Sequence, residues 1–481
     1  MIGFLVVLLQ GHAFGDDLTR EWSNTEGKKI TAEYLGVRGD SIIVRMSGKR
    51  VVAIPLSKLS DADKAFVSSR PLVYQEEWLS WPEDAETPVK IVDVTETKAD
   101  GQNYVYQTSH FRFQVDGNLG TPLMKDLAQV FELTYSLHTK SPFGLLAKPK
   151  NDRFEARLFG ETETYRDRGG PETTAGVYLP KTKVFLAPLD LMGVKVDSGV
   201  WRRIPRTQCD TTTVVHELTH MLTHDMLVTL PIWVNEGYAE YIASIPIERD
   251  AFRVSGKKIR EGVIDRFVLD YEKWCSSSGG RIDNLGRAER LKFIKNKIPK
   301  IPPVATVLGI TDKKWMATPS KSLRMPGDTK FTYPQKLGLY RTSLLIIYYF
   351  LHLDGEKGIS KLRRYVMQKQ QKAAELADFC AAHEEYQRQM EHFLKLPGVE
   401  ALEGGRFRYP SNLTPPAAPK PPFKNAEQFA ASGMEILFDG ETPEALGRKI
   451  EQALTNDLGL PLDFSMSITQ GFTPFVPLNG P

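Results

Sequence analysis

Two helix-forming segments separated by a proline constrain this chain more than any other feature in it. Thr211–His224 contains His216-Glu217-Leu218-Thr219-His220. Projected at about 100° per residue, Val214, Val215, Leu218, Met221 and Leu222 fall on one arc, and His216, Glu217 and His220 fall on the other. Two imidazoles at i and i+4 stand one turn apart, which lets both hold one tetrahedral ion, and Glu217 is placed to take a proton from a water there. After Leu227–Leu230, Pro231 opens a second helix carrying Trp233-Val234-Asn235-Glu236-Gly237-Tyr238-Ala239-Glu240-Tyr241. Val234, Tyr238, Tyr241 and Ile242 share one face, while Glu236 and Glu240 share the other, one turn apart. The fold must therefore turn these helices back on each other with their polar faces together.

Two histidines leave a tetrahedral site short of a third ligand. Glu236 and Glu240 both stand at usable spacings, and one can ligate while the other accepts the free ring N–H of a ligand histidine. Spacing alone leaves both glutamates open. Gly237, beside Glu236, is expected to let the second helix approach the first closely. His224 repeats the i, i+4 spacing from His220 but lies about 12 Å along the axis from His216, too far for one ion on a straight helix. It reads as a helix-end residue favoured by the dipole.

The rest of the chain reads as α+β. Its 481 residues call for two or three units. A formal net charge of +3 gives no reason to expect nucleic acid as a partner, and three cysteines allow one disulfide at most. Residues 1–15 read as a signal peptide: Ile2 to Leu9 is apolar, and Ala13 and Gly15 put small residues two apart. Eight apolar residues do not span a bilayer, and no other stretch approaches the ~20 needed, so no membrane span is expected. Residues 16–70 read as a small β module with alternation at Ile30, Ala32 and Tyr34, turns at Gly39-Asp40 and Gly48, and a capping box from Ser60 to Asp63. Residues 71–100 read as a linker. From 101 to 400 the order is strand (His110–Val115), helix (Leu123–His138), strands (Phe154–Phe159, Lys183–Ala187), then long helices, including Tyr340–Leu353 and Ile359–Leu396. Gly176–Ala187 is a candidate edge strand for pairing with an extended peptide backbone. Tyr340, or alternatively Tyr333, is a candidate oxyanion donor, against a packing role for the same ring. Basic, proline-containing stretches at Lys292–Lys300 and Lys313–Lys330 read as solvated loops. Residues 401–424 form a Pro-rich linker, and 425–481 carry a helix near Pro443–Thr455 without further assignment.

The motif His216-Glu217-x-x-His220, followed by Asn235-Glu236-Gly237 and Ala239-Glu240-Tyr241, resembles the gluzincin (thermolysin-like, peptidase MA) clan. Within that clan it is most similar to a little-characterised group of bacterial peptidase-like proteins, from about His110 through Gly176-Val177-Tyr178 to the helix at Tyr340. The resemblance implies a zincin domain with an upper sheet and lower helices. It also implies Zn2+ held by His216, His220 and Glu236, the last favoured over Glu240 by its Asn-Glu-Gly context, with Glu240 and Asn235 as supporting residues, Glu217 as general base, and a peptide or protein substrate. An aminopeptidase-type Gly-x-Met-Glu-Asn anchor is absent upstream, which favours endopeptidase action. The stretch from Arg20-Glu21-Trp22 through Gly27-Lys28-Lys29-Ile30 to Pro55-Leu56-Ser57-Lys58-Leu59 resembles the SH3-like homology module first described in a yeast endocytic adaptor. It implies a five-stranded barrel with a short peptide ligand. Together these describe a secreted or periplasmic bacterial metallopeptidase. The competing reading is a noncatalytic exported binding protein that uses the zincin fold as a scaffold; Glu217 would then have no role.

Overall fold

The computed structural model describes residues 19–38, 40–46, 51–68, 94–98, 104–141, 146–171, 176–190, 192–197, 200–203, 211–224, 229–248, 251–277, 300–320, 334–402, 406–424 and 426–468. The expectations placed on residues 1–15, on Gly39 and Gly48, on most of the 71–100 stretch, on 292–299 and on Tyr333 lie outside them. The chain divides into two compact units, Met1–Glu77 and Trp78–Pro481.

In the first unit β1 (Thr19–Ser23), β2 (Lys29–Arg38), β3 (Ser41–Met46) and β4 (Val51–Pro55) form an antiparallel sheet in that order. The alternation read from Ala32 and Tyr34 holds, both being buried, until a bulge between Tyr34 and Gly36 shifts the register. Four strands are seen rather than five, and among the described residues the sheet does not close on itself. A single bridge, Asn24 to Leu59, and the helix α1 (Asp61–Ser68) complete it. The Trp22, Tyr34 and Phe66 rings meet at 5.4–5.8 Å, the aromatic core of this unit. The cap at Ser60 forms in altered guise. Asp63 N–H donates to Ser60 Oγ at 3.2 Å, but the Asp63 carboxylate reaches past the cap to accept from Ser23 N–H at 2.7 Å and from Arg20. The helix start is thereby tied to β1.

The second unit is built on a six-stranded sheet of β5 (Thr95–Lys98), β6 (Tyr104–Gln107), β7 (Phe111–Val115), β8 (Phe154–Phe159), β9 (Val177–Leu179) and β10 (Val184–Pro188). Its order is β5-β6-β7-β8-β10-β9, parallel at β7–β8 and β8–β10 and antiparallel elsewhere. The parallel pair β7–β8 needs a crossover, and α2 (Gly120–Thr139) supplies it. Phe131 on α2 meets Phe111, Phe113 and Phe185 at 4.9–5.4 Å, locking helix to sheet. Each such buried ring contributes roughly 2–3 kcal/mol. The stretch Gly176–Ala187 is two strands joined by a hairpin, and β9 is the one at the sheet edge. The short α3 (Thr162–Asp167) follows β8.

The helical part follows: α4 (Thr212–Leu222), α5 (Ile232–Ser244), α6 (Gly256–Ser277), α7 (Gln335–Tyr348) and α8 (Gly355–Phe393). α5 packs against both α4 and α7 and is buried nearly all round, so the two-faced helix read from its sequence is an interior one. Gly237 serves a different neighbour from the one expected. A Cβ there would sit 2.6 Å from the Ser343 carbonyl oxygen, so the glycine admits α7, not α4. α7 also begins earlier than expected: Pro334 caps it, Tyr340 lies inside it, and its last residues pass into a π turn at Tyr349–Leu353. The Lys313–Lys330 stretch is not all loop, because Asp312–Ala317 is helical and Trp315 is fully buried. Residues 410–424 carry no regular structure. The helix α9 (Pro443–Leu458) belongs to the second unit. Its Asp457 accepts from Arg260 and from Tyr348, and Glu451 accepts from Val304 N–H at 2.9 Å. Among the described residues no helix is long and apolar enough to cross a membrane.

Candidate metal centre

The face that α4 leaves polar meets the Glu236 side of α5. Val214, Val215, Leu218, Met221 and Leu222 are buried as their arc requires, which orients the histidines across the helix contact. His216 Nε2 and His220 Nε2 stand 3.1 Å apart, and Glu236 Oε2 lies 3.2 Å from the first and 3.4 Å from the second. Among the described residues this is the one group of three or more His, Cys, Asp or Glu side chains spaced to hold an ion.

The triangle has a physical scale. Ligand bonds of about 2.0–2.1 Å at tetrahedral angles put neighbouring donor atoms about 3.3 Å apart. The three observed edges straddle that value, so the donors fit three corners of such a polyhedron, and among the described residues no fourth protein ligand joins them. Imidazole nitrogen and carboxylate oxygen are also the donor types a zinc ion accepts. The charges agree. Burial works against a charged His216 ring, but the Glu236 and Glu240 carboxylates outweigh it and carry His216 up to about 10. Burial would raise Glu236, yet the His220 and His216 rings bring it down to about 2. The pocket gathers positive charge, and a divalent cation competes with protons for the same atoms.

Glu217 is adjacent to the triangle in sequence but outside it. Its Oε2 accepts the backbone N–H of Tyr178 at 2.9 Å. Because this N–H bonds Glu217 rather than β10, and β9 is the last strand of the sheet among the described residues, it faces the sheet edge. The edge strand and the glutamate are thus brought together by one hydrogen bond. Glu240 lies one turn from Glu236 on the far side of His216, with Oε1 3.4 Å from Nδ1. Its Oε2 accepts from Arg266 at 2.6 Å and from Arg341 at 2.5 Å, and Arg341 also grips Asp270 through two bonds. Asn235 donates from its amide to the Leu230 carbonyl at 3.1 Å, pinning the turn that precedes α5. Tyr340 faces the site, its ring centroid 6.3 Å from that of His216. Burial, reinforced by Glu236, Glu240 and Glu217, pushes its hydroxyl well above the usual range, so it stays protonated as a donor. His224 is turned away, its ring 5.7 Å from that of Tyr178.

Four participants escaped the sequence reading. Arg266 and Asp270 stand at i and i+4 on α6, and Arg341 follows Tyr340 on α7; only their burial marks them, and burial needs the fold. Lys336 is the fourth, one turn before Tyr340. It donates to the Trp315 carbonyl at 2.6 Å, and burial lowers its pKa while Glu236 opposes that shift. The i, i+4 pairing with Tyr340 was a signal available in the sequence. No family model matches the chain, and no curated protein matches it.

Proposed function

We propose that the second unit is a gluzincin-type zinc metallopeptidase of zincin architecture and that it hydrolyses peptide bonds, most simply as an endopeptidase. The first unit is read as an SH3-like module for a short peptide, and the whole as an exported bacterial protein. The observation that carries the reading is the donor triangle of His216, His220 and Glu236 with Glu217 beside it on α4, bonded to the backbone of the edge strand β9. His216, His220 and Glu236 would hold a zinc ion there, and it would supply the Lewis acidity that polarises a carbonyl and lowers the pKa of a water toward ~7.

The chain's own residues do the rest. An extended peptide lies along the edge of β9. Glu217 takes a proton from the attacking water as the C–O bond forms, then hands it to the departing amine as the C–N bond breaks. Tyr340, held protonated, donates to the oxygen that gains charge between those events. Glu240 holds His216 by its Nδ1 side, and the two arginines hold Glu240.

The test has two arms on the full chain. Elemental analysis should find about one zinc per wild-type chain and little in His220→Ala or Glu236→Ala. Glu217→Gln should keep its zinc and lose about 10²–10⁴-fold in hydrolysis of a quenched-fluorescence peptide mixture. Zinc-free wild type, or undiminished hydrolysis by Glu217→Gln, would refute the assignment.

A further inference from the structure

Two donors on α7 stand one turn apart beside the metal centre. The Tyr340 ring lies 6.3 Å from that of His216, and Lys336 precedes Tyr340 by four residues. On a helix that spacing puts both side chains on one face, their Cα atoms about 6 Å apart along the axis. The same face continues to Ser343, whose backbone crowds Gly237, the neighbour of Glu236. α7 therefore meets α5 at Ser343 and carries Tyr340 and then Lys336 away from that crossing, on the side where His216 lies.

The ammonium of Lys336 is anchored. Its Nζ donates to the Trp315 carbonyl at 2.6 Å and stands 5.5 Å from the Trp315 ring centroid. That ring is fully buried and meets the Tyr340 ring edge-on at 5.4 Å. The segment 312–319 that carries Trp315 is tied at both ends to the helices of the site. Asp312 accepts the Ile232 N–H at the start of α5 at 3.2 Å, and the Pro319 carbonyl accepts the Lys336 N–H at 3.2 Å. Trp315, Lys336 and Tyr340 form one assembly against the centre.

The charge of Lys336 has no structural counterpart in that assembly. Among the described residues no carboxylate pairs with it. Burial lowers its pKa and the Glu236 carboxylate opposes the shift, so the cation stands within the field of Glu236. A neutral amide would hold the Trp315 carbonyl as well, without the desolvation cost of a half-buried cation. One carbonyl takes one of the three ammonium N–H groups, and two are left for a further acceptor.

We propose that Lys336 is a second oxyanion donor beside Tyr340, a catalytic residue of the hydrolysis proposed above, on which this inference rests. As the water oxygen bonds to the carbonyl carbon, the carbonyl π pair moves onto its oxygen. The ammonium and the phenol donate hydrogen bonds to that oxygen and keep their protons. When the C–N bond breaks the pair returns and the carbonyl is restored. A fixed cation here favours the tetrahedral state over the neutral peptide, because only the former carries the charge.

The experiment starts from the peptide that wild type cuts fastest in the mixture. That peptide is remade with a phosphinate, a tetrahedral anion, in place of the scissile amide, and both forms are labelled. Fluorescence anisotropy reads the binding of each to the full-length zinc-loaded Glu217→Gln protein, alone and combined with Lys336→Gln or Lys336→Arg. Lys336→Gln keeps a donor for the Trp315 carbonyl and removes the charge. It should weaken the phosphinate about tenfold or more and the amide less than about threefold. Lys336→Arg keeps the charge and should bind the phosphinate at least about threefold tighter than Lys336→Gln does. With Glu217 intact, Lys336→Gln should lower kcat about 10²-fold and leave KM within about threefold. Equal weakening of both probes makes Lys336 a clamp for Trp315 and overturns the inference. So does a phosphinate affinity that Lys336→Gln leaves unchanged or that Lys336→Arg fails to restore. In each of these cases wild type still cuts, and the peptidase reading stands. A wild type that cuts nothing overturns that reading and the inference with it.

Discussion

Glu236 and Glu240 are the same residue type on the same helix, one turn apart, and both touch His216, yet they occupy opposite kinds of site. Burial alone would raise both carboxyls. Glu240 is held well below its usual range by Arg266 and Arg341, which with it and Asp270 make a set of two cations and two carboxylates. Among the described contacts Glu236 hydrogen-bonds the two histidine rings, and those are acceptors of an ion as much as donors of a proton, while Lys336 feels its charge from outside that set. A carboxylate whose charge the protein already balances is a support; one whose balance is left to a proton or an ion is a ligand. This contrast supports the proposal of Glu236 as the ligand where spacing left both glutamates open.

The contrast breaks most visibly at Arg341. Arg341→Met leaves Glu240 and Asp270 facing each other without the cation between them, and a buried pair cut on one side costs about 3–5 kcal/mol. Glu236→Gln, by comparison, should cost the metal-free protein less than Arg341→Met does, because the two rings it leaves can give up their protons, whereas the two carboxylates that Arg341 leaves face each other. Urea unfolding of both variants in chelator gives the comparison. Adding zinc should then raise the wild-type midpoint and leave that of Glu236→Gln unmoved. Equal losses in the two variants would make the distinction between support and ligand empty.

A smaller effect sharpens it. Glu240→Gln keeps the side-chain shape but weakens the acceptor at His216 Nδ1. Competition with a chromophoric chelator should show zinc held about 10–100-fold more weakly, against near-complete loss in Glu236→Gln. Should Glu240→Gln prove the worse of the two, the ligand assignment would pass to Glu240.

What the sequence carried of this centre was the local part. The arc of Val214, Val215, Leu218, Met221 and Leu222 set the face of α4, and the i, i+4 spacing set the histidine pair, because both follow from helix geometry alone. Strands at Phe111–Val115 and Phe154–Phe159 were legible for the same reason, their alternation being local. The neighbour of Gly237 was not, since a glycine announces close approach without saying to what; Ser343 lies over a hundred residues away. Arg266, Asp270 and Arg341 were missed because charged residues read as surface until the fold buries them. The start of α7 was misplaced for want of weight on Pro334, whose fixed φ suits a helix N-terminus.

A third member of the helix α5 neighbourhood extends the comparison to histidines. Tyr241, next to Glu240, shares a 2.8 Å hydrogen bond between its hydroxyl and His352 Nε2. The other group beside the ring is Tyr348, 4.9 Å away, whose hydroxyl donates to Asp457, and Asp457 is itself paired with Arg260. No carboxylate bonds His352 directly among its described contacts, and burial lowers its pKa from 6.5 to about 4, where His216 with two carboxylates is raised to about 10. The sign follows from proton binding. Between about 4 and 6.5 the unfolded chain binds a proton at His352 that the folded chain refuses. Its stabilising contribution is full above pH 6.5 and is lost as pH falls toward 4, at up to about 1.4 kcal/mol per pH unit. His352→Gln keeps an acceptor for Tyr241 and cannot titrate, so its stability should fall less steeply than wild type between pH 6 and pH 5. Urea unfolding at the two pH values, in chelator, gives the difference of slopes. Parallel slopes would mean that His352 takes its proton in the folded state too. The contrast between a histidine set among carboxylates and one set among tyrosines would then lose its cause.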